Sequence, residues 1–370
     1  MSSPTTVRLE ARIDALDVRA YKIPTATPES DGTLQWDSTT LVYVEVRAAG
    51  ETGIGFTYAD AATAKLIETI LCEAIVGTDA FQIGARWDDM YAKTRNLGRG
   101  GITSMAVSAV DVALWDLKGK LLGVPAYALL GSVRSSIPVY GSGGFTAYSE
   151  QQLCAQLAGW VNDGIPRVKM KVGRDPLADP KRVAAARAAI GERVELFVDA
   201  NGAYSAQQAI GLAQKFAEQR VTWFEEPVYR EDYAGTRFVR EHAPPGMDIS
   251  SGEYGYGLYT FARMTEARAV DVLQADATRC GGFSGLLAVD GLCQSTMTPL
   301  STHCAPHLHL HAAMACKQLR HIEYFFDHVR IERMLFDGSG DPENGELAPD
   351  STRPGIGMEL RRTDAERYAI

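Results

Sequence analysis

The stretch RVKMKVG at residues 167–173 decides the fold, because its charged and apolar side chains alternate. Alternation with a period of two is typical of a β-strand with two different faces. Seven more short β-rich runs occur after about residue 131, separated by Ala- and Arg-rich helical stretches, at residues 136–144, 194–201, 221–227, 247–253, 269–276, 298–304 and 320–325. Eight strands in βα alternation is the strand count of a (β/α)₈ barrel. An open doubly wound sheet also alternates, but eight evenly spaced units without a nucleotide-binding fingerprint favour closure.

The residues before the barrel follow a different pattern. LVYVEVRA at residues 41–48 alternates as a half-buried strand does, and residues 105–121 space their apolar side chains as a buried helix does. The polar stretch 25–39, which contains a proline, predicts a long loop. The chain is therefore expected to divide into an α+β domain at 1–130, the barrel at 131–336, and a C-terminal segment at 337–370 that packs back on the first domain.

Composition excludes several classes of protein. The chain has 370 residues, of which 46% are hydrophobic and 22% charged, so disorder and rod-like folds are excluded. A net charge of −9 disfavours nucleic acid and anionic membranes as partners. The six cysteines form no CxxC pair, and no run reaches membrane-spanning length or forms a signal peptide, so we expect a soluble cytoplasmic protein.

Ionisable side chains fall at the end of almost every predicted strand from the second onward. Successive positions lie 20 to 28 residues apart, which is about the length of one βα unit. In a barrel the carboxyl ends of the strands converge on one mouth, where active sites are built. We therefore expect one site that contains Lys169, Lys171, Asp199, Glu225, Glu253, Asp276, His303 and Glu323.

Three carboxylates, those of Asp199, Glu225 and Glu253, come from neighbouring strands and would crowd one pocket. Like charges so close together cannot all stay ionised without a cation. Oxygen ligands suit a hard divalent ion, and Mg²⁺ leaves positions for water and substrate oxygens. One such carboxylate alone is as readily explained by a salt bridge at a helix N-terminus, so the prediction depends on the set. Asn201 shares a strand face with Asp199 and is expected to orient that ligand or to contact substrate.

Two basic groups are expected on opposite sides of this pocket. Lys169 and Lys171 share one strand face, so each ammonium group should lower the pKa of the other and allow a neutral lysine base. Asp276 and His303 end adjacent strands, and a carboxylate on one imidazole nitrogen strengthens the other nitrogen as a base. A substrate carbon between Lys171 and His303 could therefore lose a proton to either side. Glu323 is expected, protonated or hydrogen-bonded, beside a carboxylate oxygen of the substrate.

The motifs resemble those of a known group of enzymes. VKMKVG, VDAN, WFEEP, SSGE, LQADATRCGG, STHCAP and HIEYF are similar, in order, to the strand ends of the mandelate racemase subgroup of the enolase superfamily. The helix SAVDVALWDLKGKLLGVP resembles the capping-domain helix of that group. The resemblance implies an α/β fold with a modified (β/α)₈ TIM barrel, of the (β/α)₇β type, under an N-terminal α+β capping domain.

The resemblance also implies a role for each residue at the strand ends. One essential Mg²⁺ would be held by Asp199, Glu225 and Glu253. Lys171 would be the base on one face, and His303, paired with Asp276, the acid or base on the other. Lys169 would lower the barrier electrostatically, and Glu323 would contact the substrate carboxylate. A Lys or His base combined with Mg²⁺ is general in this superfamily.

The implied chemistry is abstraction of the α-proton of a carboxylate substrate through a metal-stabilised enediolate. If His303 then protonates a departing β-hydroxyl, the enzyme is a lyase that dehydrates an acid sugar to a 2-keto-3-deoxy acid, which is the reaction we predict. A racemase or epimerase of 2-hydroxy acids and a sugar-acid lactone cycloisomerase need the same groups and stay open. A binding-only barrel and a metal-dependent aldol lyase fit less well, since neither requires both Lys171 and His303.

Residues around the mouth give weaker signals. The segment HCAPHLHLH suggests zinc, but Leu308 stands where HExxH needs its glutamate, and we expect a helix with His307 near substrate. Arg279 precedes a Gly-Gly turn and is a candidate partner for a second substrate carboxylate.

The substrate itself is expected to be recognised by the capping domain. Its predicted loops at 25–39 and 53–60 should set specificity, with Lys22, Trp36 and Tyr58 as candidate contacts. The partners we predict are a small-molecule carboxylate of the acid-sugar class and other copies of the chain in a homo-oligomer.

Overall fold

The computed structural model describes residues 10–370, which begin with a three-stranded antiparallel sheet. Its strands are β1 (Ile13–Ser30), β2 (Gln35–Ala48) and β3 (Glu51–Tyr58). The predicted loop over 25–39 is wrong, because most of it is a β1–β2 hairpin that turns only at 31–34. The predicted loop over 53–60 is also wrong, because most of it belongs to β3. A register shift between Pro24 and Glu29 accommodates the prolines of β1.

Helices cover one face of this sheet. They are α1 (Ala62–Leu66), a π-helical turn (Ile67–Leu71), α2 (Cys72–Ile75), α3 (Ile83–Lys93), a 3₁₀ turn (Arg95–Leu97), α4 (Ile102–Leu122) and α5 (Ala126–Leu130). The predicted buried helix at 105–121 is confirmed within α4. At Gly55 of β3 a Cβ atom would lie 2.1 Å from the Ala109 carbonyl oxygen of α4, so the close packing of helix on strand requires glycine.

All eight predicted barrel strands are confirmed, and they form a closed parallel barrel. In the sheet each strand pairs with the next, and the last strand pairs with the first, so the barrel has no free edge. The strands are β4 (Ile137–Gly143), β5 (Arg167–Lys171), β6 (Glu195–Asp199), β7 (Val221–Glu225), β8 (Asp248–Ser251), β9 (Val272–Ala275), β10 (Leu300–Thr302) and β11 (Leu319–Phe325). The open-sheet alternative is thereby excluded.

Helices alternate with these strands and surround the barrel. They are α6 (Glu150–Asn162), α7 (Asp179–Ile190), α8 (Ala206–Glu218), α9 (Tyr233–His242), α10 (Leu258–Glu266), α11 (Gly282–Thr296), α12 (Pro306–Ala313) and α13 (Phe326–Leu335). The expected helix after the seventh barrel strand is α12. No helix within residues 10–370 is long and apolar enough to cross a membrane.

An aromatic layer fills the middle of the barrel. Tyr140, Phe197 and Trp223 form a buried cluster, with the Phe197 and Trp223 rings stacked at 5.3 Å. The Lys169 amine lies 5.4 Å from the centre of the Tyr140 ring. The next inward side chains are those of Ser142 on β4, Asp199 on β6 and Glu225 on β7, so a buried polar layer lies directly above the aromatic layer.

The C-terminal segment ties the two domains together. It contains β12 (Phe336–Asp337), β13 (Glu346–Leu347), β14 (Glu359–Leu360) and α14 (Arg362–Glu366). Strand β13 pairs with β4 of the barrel. The Ile370 amide donates to the Ala20 carbonyl of β1, and the Lys22 amide donates to the Tyr368 carbonyl. The chain end thus lies against the N-terminal sheet.

Candidate active site

Three carboxylates meet at the carboxyl ends of adjacent strands. Asp199 ends β6, Glu225 ends β7, and Glu253 follows β8 by two residues. One oxygen from each lies within 4.8 Å of the others, and all three residues are buried. Glu253 Oε2 is buried and has no hydrogen-bond partner within residues 10–370. A cluster of oxygen donors with an unsatisfied buried oxygen fits a hard divalent cation.

The two lysines of β5 lie against these carboxylates. Lys169 Nζ is 2.7 Å and 2.8 Å from the two Glu225 carboxylate oxygens. Lys171 Nζ is 2.5 Å from Asp199 Oδ2. The sequence predicts a lowered lysine pKa, and burial does lower it, but the carboxylates outweigh burial, so the pKa of each lysine lies above its ordinary value. Among the protein's own charges, attraction to carboxylates dominates over repulsion between the lysines.

A histidine and an aspartate pair on the neighbouring strands. His303 Nδ1 lies 2.8 Å from Asp276 Oδ2, and the Thr278 amide donates to Asp276 Oδ1 at 2.7 Å. Burial alone would raise the pKa of Asp276, but hydrogen bonding and charge from His303 hold it well below its usual range. An ionised Asp276 accepts from Nδ1, and His303 Nε2 on the other side of the ring lies 3.2 Å from Cys304 Sγ and 3.3 Å from Glu253 Oε2.

Glu323 is held by three donors. Its Oε1 accepts from the Ser142 hydroxyl at 2.6 Å and lies 2.7 Å from Lys169 Nζ. Its Oε2 accepts from the Cys304 amide at 2.8 Å. Burial raises the pKa of Glu323, but Lys169 first and then other cations lower it well below its usual range. The structure therefore favours an ionised, hydrogen-bonded Glu323 over the protonated alternative.

A cleft of about 420 Å³ opens above these groups, between the barrel mouth and the N-terminal sheet. Its barrel side is lined by Lys171, Asn201, Glu253, Arg279, His303 and Glu323. Its N-terminal side is lined by residues that include Trp36 and Tyr58, two of the three expected contacts, whereas Lys22 is not among the lining residues.

Asn201 and Arg279 both direct polar atoms toward this region. The backbone N–H of Asn201 donates to Asp199 Oδ1 at 2.9 Å. The side-chain Oδ1 of Asn201 is buried without a partner within residues 10–370. Arg279 Nη1 donates to the Glu253 carbonyl at 3.1 Å, while its guanidinium lies 5.0 Å from the Tyr254 ring centre. Both side chains are thus positioned beside proposed metal ligands.

The structure places His307 outside the cleft, contrary to the expectation that it lies near substrate. Its Nδ1 lies 2.5 Å from Glu332 Oε2, and its Nε2 lies 2.7 Å from the Gly340 carbonyl oxygen. Both ring nitrogens are therefore occupied by contacts between α12, α13 and the C-terminal segment. His307 lines a separate cavity with residues of that segment.

Several lining residues were missed by sequence reasoning. Tyr254 and Cys304 directly follow Glu253 and His303, so adjacency to a strand end could have identified them. Asp31 and Ser38 belong to the hairpin that was predicted as a loop. His328 lies in helix α13, where no spacing rule distinguishes it.

Nearly the whole chain is similar to known proteins. Residues 17–131 match the family described as mandelate racemase / muconate lactonizing enzyme, N-terminal domain, and residues 152–365 match the family described as enolase C-terminal domain-like. The 3,6-anhydro-alpha-L-galactonate cycloisomerase of Streptomyces coelicolor is 32% identical, over 97% of this chain and 99% of the relative.

Two solved structures have the same fold. The structure of a mandelate racemase/muconate lactonizing enzyme-like protein from Rubrobacter xylanophilus has 52% identity and a TM-score of 0.95, covering 97% of this chain and all of the other. The structure of L-talarate/galactarate dehydratase from Salmonella typhimurium LT2, liganded with Mg and L-lyxarohydroxamate, has 27% identity and a TM-score of 0.90, covering all of this chain and 96% of the other.

Proposed function

Because the chain belongs to the mandelate racemase / muconate lactonizing enzyme family, whose relatives are acid-sugar dehydratases and cycloisomerases, we propose that it is a Mg²⁺-dependent dehydratase of an acid sugar. The product would be a 2-keto-3-deoxy acid. One observation carries the proposal: a buried cluster of three carboxylates lies between Lys171 and the His303–Asp276 pair. Such an arrangement supports the proposal that a base acts from each side of one substrate carbon.

Asp199, Glu225 and Glu253 would hold the Mg²⁺ ion. Their donor atoms are all carboxylate oxygens, and Glu253 Oε2 lacks a hydrogen-bond partner within residues 10–370. When bound, the ion supplies positive charge that stabilises the negative charge developing on the substrate carboxylate as its α-proton leaves.

The protein's own groups move the protons. A cation held by Asp199, Glu225 and Glu253 would offset the carboxylate charges that raise the pKa of Lys171. Lys171 in its neutral form would then take the α-proton of the substrate onto Nζ, and the electrons would pass into an enediolate. Lys169, whose Nζ lies 2.7 Å from oxygens of both Glu225 and Glu323, is proposed to stabilise that charge. His303 then gives its Nε2 proton to the β-hydroxyl, whose bond to carbon breaks so that water leaves, and the enol product becomes a ketone. Asp276 keeps Nδ1 of His303 in place throughout.

Substrate contacts and assembly belong to the same proposal. Asn201 and Arg279 are proposed to contact the substrate from the metal side of the cleft, and Glu323 is proposed to contact its carboxylate. The cleft is lined on its upper side by the first domain, which we place at 1–130, above a barrel at 131–336 and a C-terminal segment at 337–370. The active form is proposed to be a homo-oligomer.

A cycloisomerase is the second candidate, because the relative of that name aligns over 97% of this chain. In that reaction the leaving oxygen stays attached to the product, and no water is lost. A racemase or epimerase remains the third candidate, since Lys171 and His303 come from strands on different sides of the barrel. In that case His303 returns a proton to the α-carbon itself.

The deciding experiment is ¹H NMR in D₂O with a panel of mono- and diacid sugars and their lactones, with MgCl₂ and then with EDTA. We expect an α-proton signal to disappear only with Mg²⁺, together with a new methylene beside a ketone. Exchange or a new stereoisomer without the methylene indicates a racemase, and ring opening or isomerisation without water loss indicates a cycloisomerase. Absence of exchange for every acid and lactone in the panel overturns the proposal.

A further inference from the structure

The geometry points to His328 as a substrate-binding residue that donates a hydrogen bond from Nε2 to an uncharged oxygen of the substrate. That oxygen is a hydroxyl or an ether on the side of the substrate that faces His303. The inference rests on the proposed function, because it concerns the same cleft, and it adds a recognition residue from helix α13.

The position of the His328 ring is fixed by its neighbours. The ring stacks on Tyr58 of β3, with centres 3.4 Å apart and planes 16° apart. It also meets the edge of Phe325 at 5.1 Å. His328 is only 8% exposed and is one of the residues that line the cleft with His303 and Glu323. Its small exposed part therefore faces the space in which a substrate would lie.

A backbone contact selects the tautomer of His328. The Ala305 amide donates to Nδ1 at 3.2 Å, so Nδ1 carries no proton. In a neutral imidazole the proton is then on Nε2. Burial lowers the pKa of His328 well below its usual value, and His303 and Arg279 lower it further, although Asp276 and Glu323 oppose them. The ring is therefore a neutral donor at physiological pH.

The Nε2–H donor has no partner within residues 10–370, and it is not sealed off from solvent. A bound substrate would cover this donor, and a covered donor without an acceptor is unfavourable. The acceptor must be on the substrate. The substrate carboxylate is already assigned to the side of the cleft that holds Glu323 and the three acidic residues, so the oxygen that reaches His328 is one of the uncharged oxygens of the substrate. A hydroxyl or an ether oxygen accepts a hydrogen bond from the neutral Nε2–H group.

If His328 had only a structural role, substrate binding would be weakened by losing the Nδ1 acceptor and not by losing the Nε2 donor. Cys304 and Ala305 both have left-handed backbone angles, with φ of 53° and 38°, directly after His303. The contact of Nδ1 with the Ala305 amide helps to hold this turn. His328→Asn keeps an acceptor near the place of Nδ1 and removes the Nε2 donor. His328→Gln keeps a donor near the place of Nε2 and removes the Nδ1 acceptor.

Steady-state kinetics with Mg²⁺ and an acid sugar that exchanges its α-proton compares the two variants. We expect KM to rise about 3- to 10-fold in H328N, the worth of one hydrogen bond, with a smaller rise in H328Q. With the wild-type enzyme, a substrate analogue that lacks the recognised hydroxyl should have a KM raised by the same factor. With H328N, the analogue and the full substrate should have the same KM. Equal KM values for H328N and the wild type overturn the inference, as does a larger rise in H328Q than in H328N.

A second measurement does not depend on turnover. In ¹⁵N-histidine NMR, with H328N used to assign the signal, His328 should be the Nε2–H tautomer from pH 6 to 8. Its Nε2 signal should shift when galactarate or gluconate is added with Mg²⁺. An Nδ1–H tautomer, an imidazolium, or the absence of a shift with both acids overturns the inference. If no acid exchanges its α-proton while the tautomer and shift are as expected, the proposed function fails and the binding role stands.

Discussion

His303 Nδ1 lies 2.8 Å from Asp276 Oδ2, across the gap between the ends of two neighbouring barrel strands. Because the Thr278 amide holds the other Asp276 oxygen, the carboxylate cannot rotate away without losing a hydrogen bond. The pair therefore fixes both the orientation of the imidazole and the nitrogen that faces the cleft.

Asp276→Asn should lower kcat without affecting Mg²⁺ binding. An amide cannot stabilise the imidazolium form of His303 as a carboxylate does, so proton transfer from Nε2 should slow by about 10²- to 10⁴-fold. The measurements are kcat for the identified substrate and Mg²⁺ affinity by calorimetry. Asp88→Asn, which changes an exposed aspartate of α3, is the matched control. An unchanged kcat in D276N would contradict the assigned role of the pair.

Loss of either base should stop exchange from one face of the substrate only. Lys171→Ala should abolish α-proton exchange for one C2 epimer, and His303→Ala for the other, each by at least about 100-fold. The measurement is loss of the α-proton signal in D₂O for two acids that differ only at C2. Both variants should still bind Mg²⁺, because Asp199, Glu225 and Glu253 are intact. Full activity of K171A on the true substrate would remove Lys171 from the mechanism.

Glu253→Gln should weaken Mg²⁺ binding at least 10- to 100-fold, since it replaces a charged oxygen ligand by a neutral amide. The wild type at 100 times its Kd for Mg²⁺ should gain about 2.7 kcal/mol of stability, which melting curves with MgCl₂ and with EDTA detect. E253Q should show little of this gain. Glu218→Gln, an exposed position at the end of α8, should behave as the wild type does. A normal Mg²⁺-dependent shift in E253Q would exclude Glu253 as a ligand.

The barrel could be predicted because the sequence patterns that specify its strands involve residues close together in the chain. Alternating side chains in RVKMKVG and the recurrence of a charge once per βα unit are both properties of neighbouring residues, and barrel closure then brings Lys171, Asp199 and Glu225 to one mouth. No contact between distant residues had to be known. The carboxylate cluster followed from the strand count together with the acidic residues at the strand ends.

The strand structure of the first hairpin and the position of His328 in the cleft could not be predicted, because both depend on contacts with residues that are distant in the sequence. Residues 25–39 are polar and contain Pro28, yet contacts elsewhere in the fold hold them as strands; Thr39, for example, donates to Asp327 of α13 at 2.6 Å. His328 faces the cleft only because Tyr58 and Ala305, far apart in sequence, pack against it. The placement of His307 depends in the same way on the distant Glu332 and Gly340.

The junction between α4 and α11 should make stability depend on pH through Asp111. This carboxylate is fully buried and accepts from the Ser284 amide at 3.0 Å and from the Ser284 hydroxyl at 2.7 Å. Burial raises the pKa of Asp111 to about 7, although the hydrogen bonds from Ser284 oppose it. Since the unfolded chain has an ordinary aspartate pKa, the folded state binds this proton more tightly. Its contribution to stability is therefore complete below about pH 4 and is lost as the pH rises through about 7.

Asp111→Asn removes this titration while keeping an oxygen that can accept from Ser284. The free energy of unfolding of the wild type, measured by urea relative to D111N, should fall by on the order of 3 kcal/mol between pH 4 and pH 8. The low pKa values of Asp276 and Glu323 act in the opposite direction, but they are common to both proteins and cancel in the difference. Parallel pH profiles for the wild type and D111N would show that Asp111 is ionised in the folded protein throughout this range. Its hydrogen bonds from Ser284 would then outweigh the cost of its burial between the capping helix and the barrel.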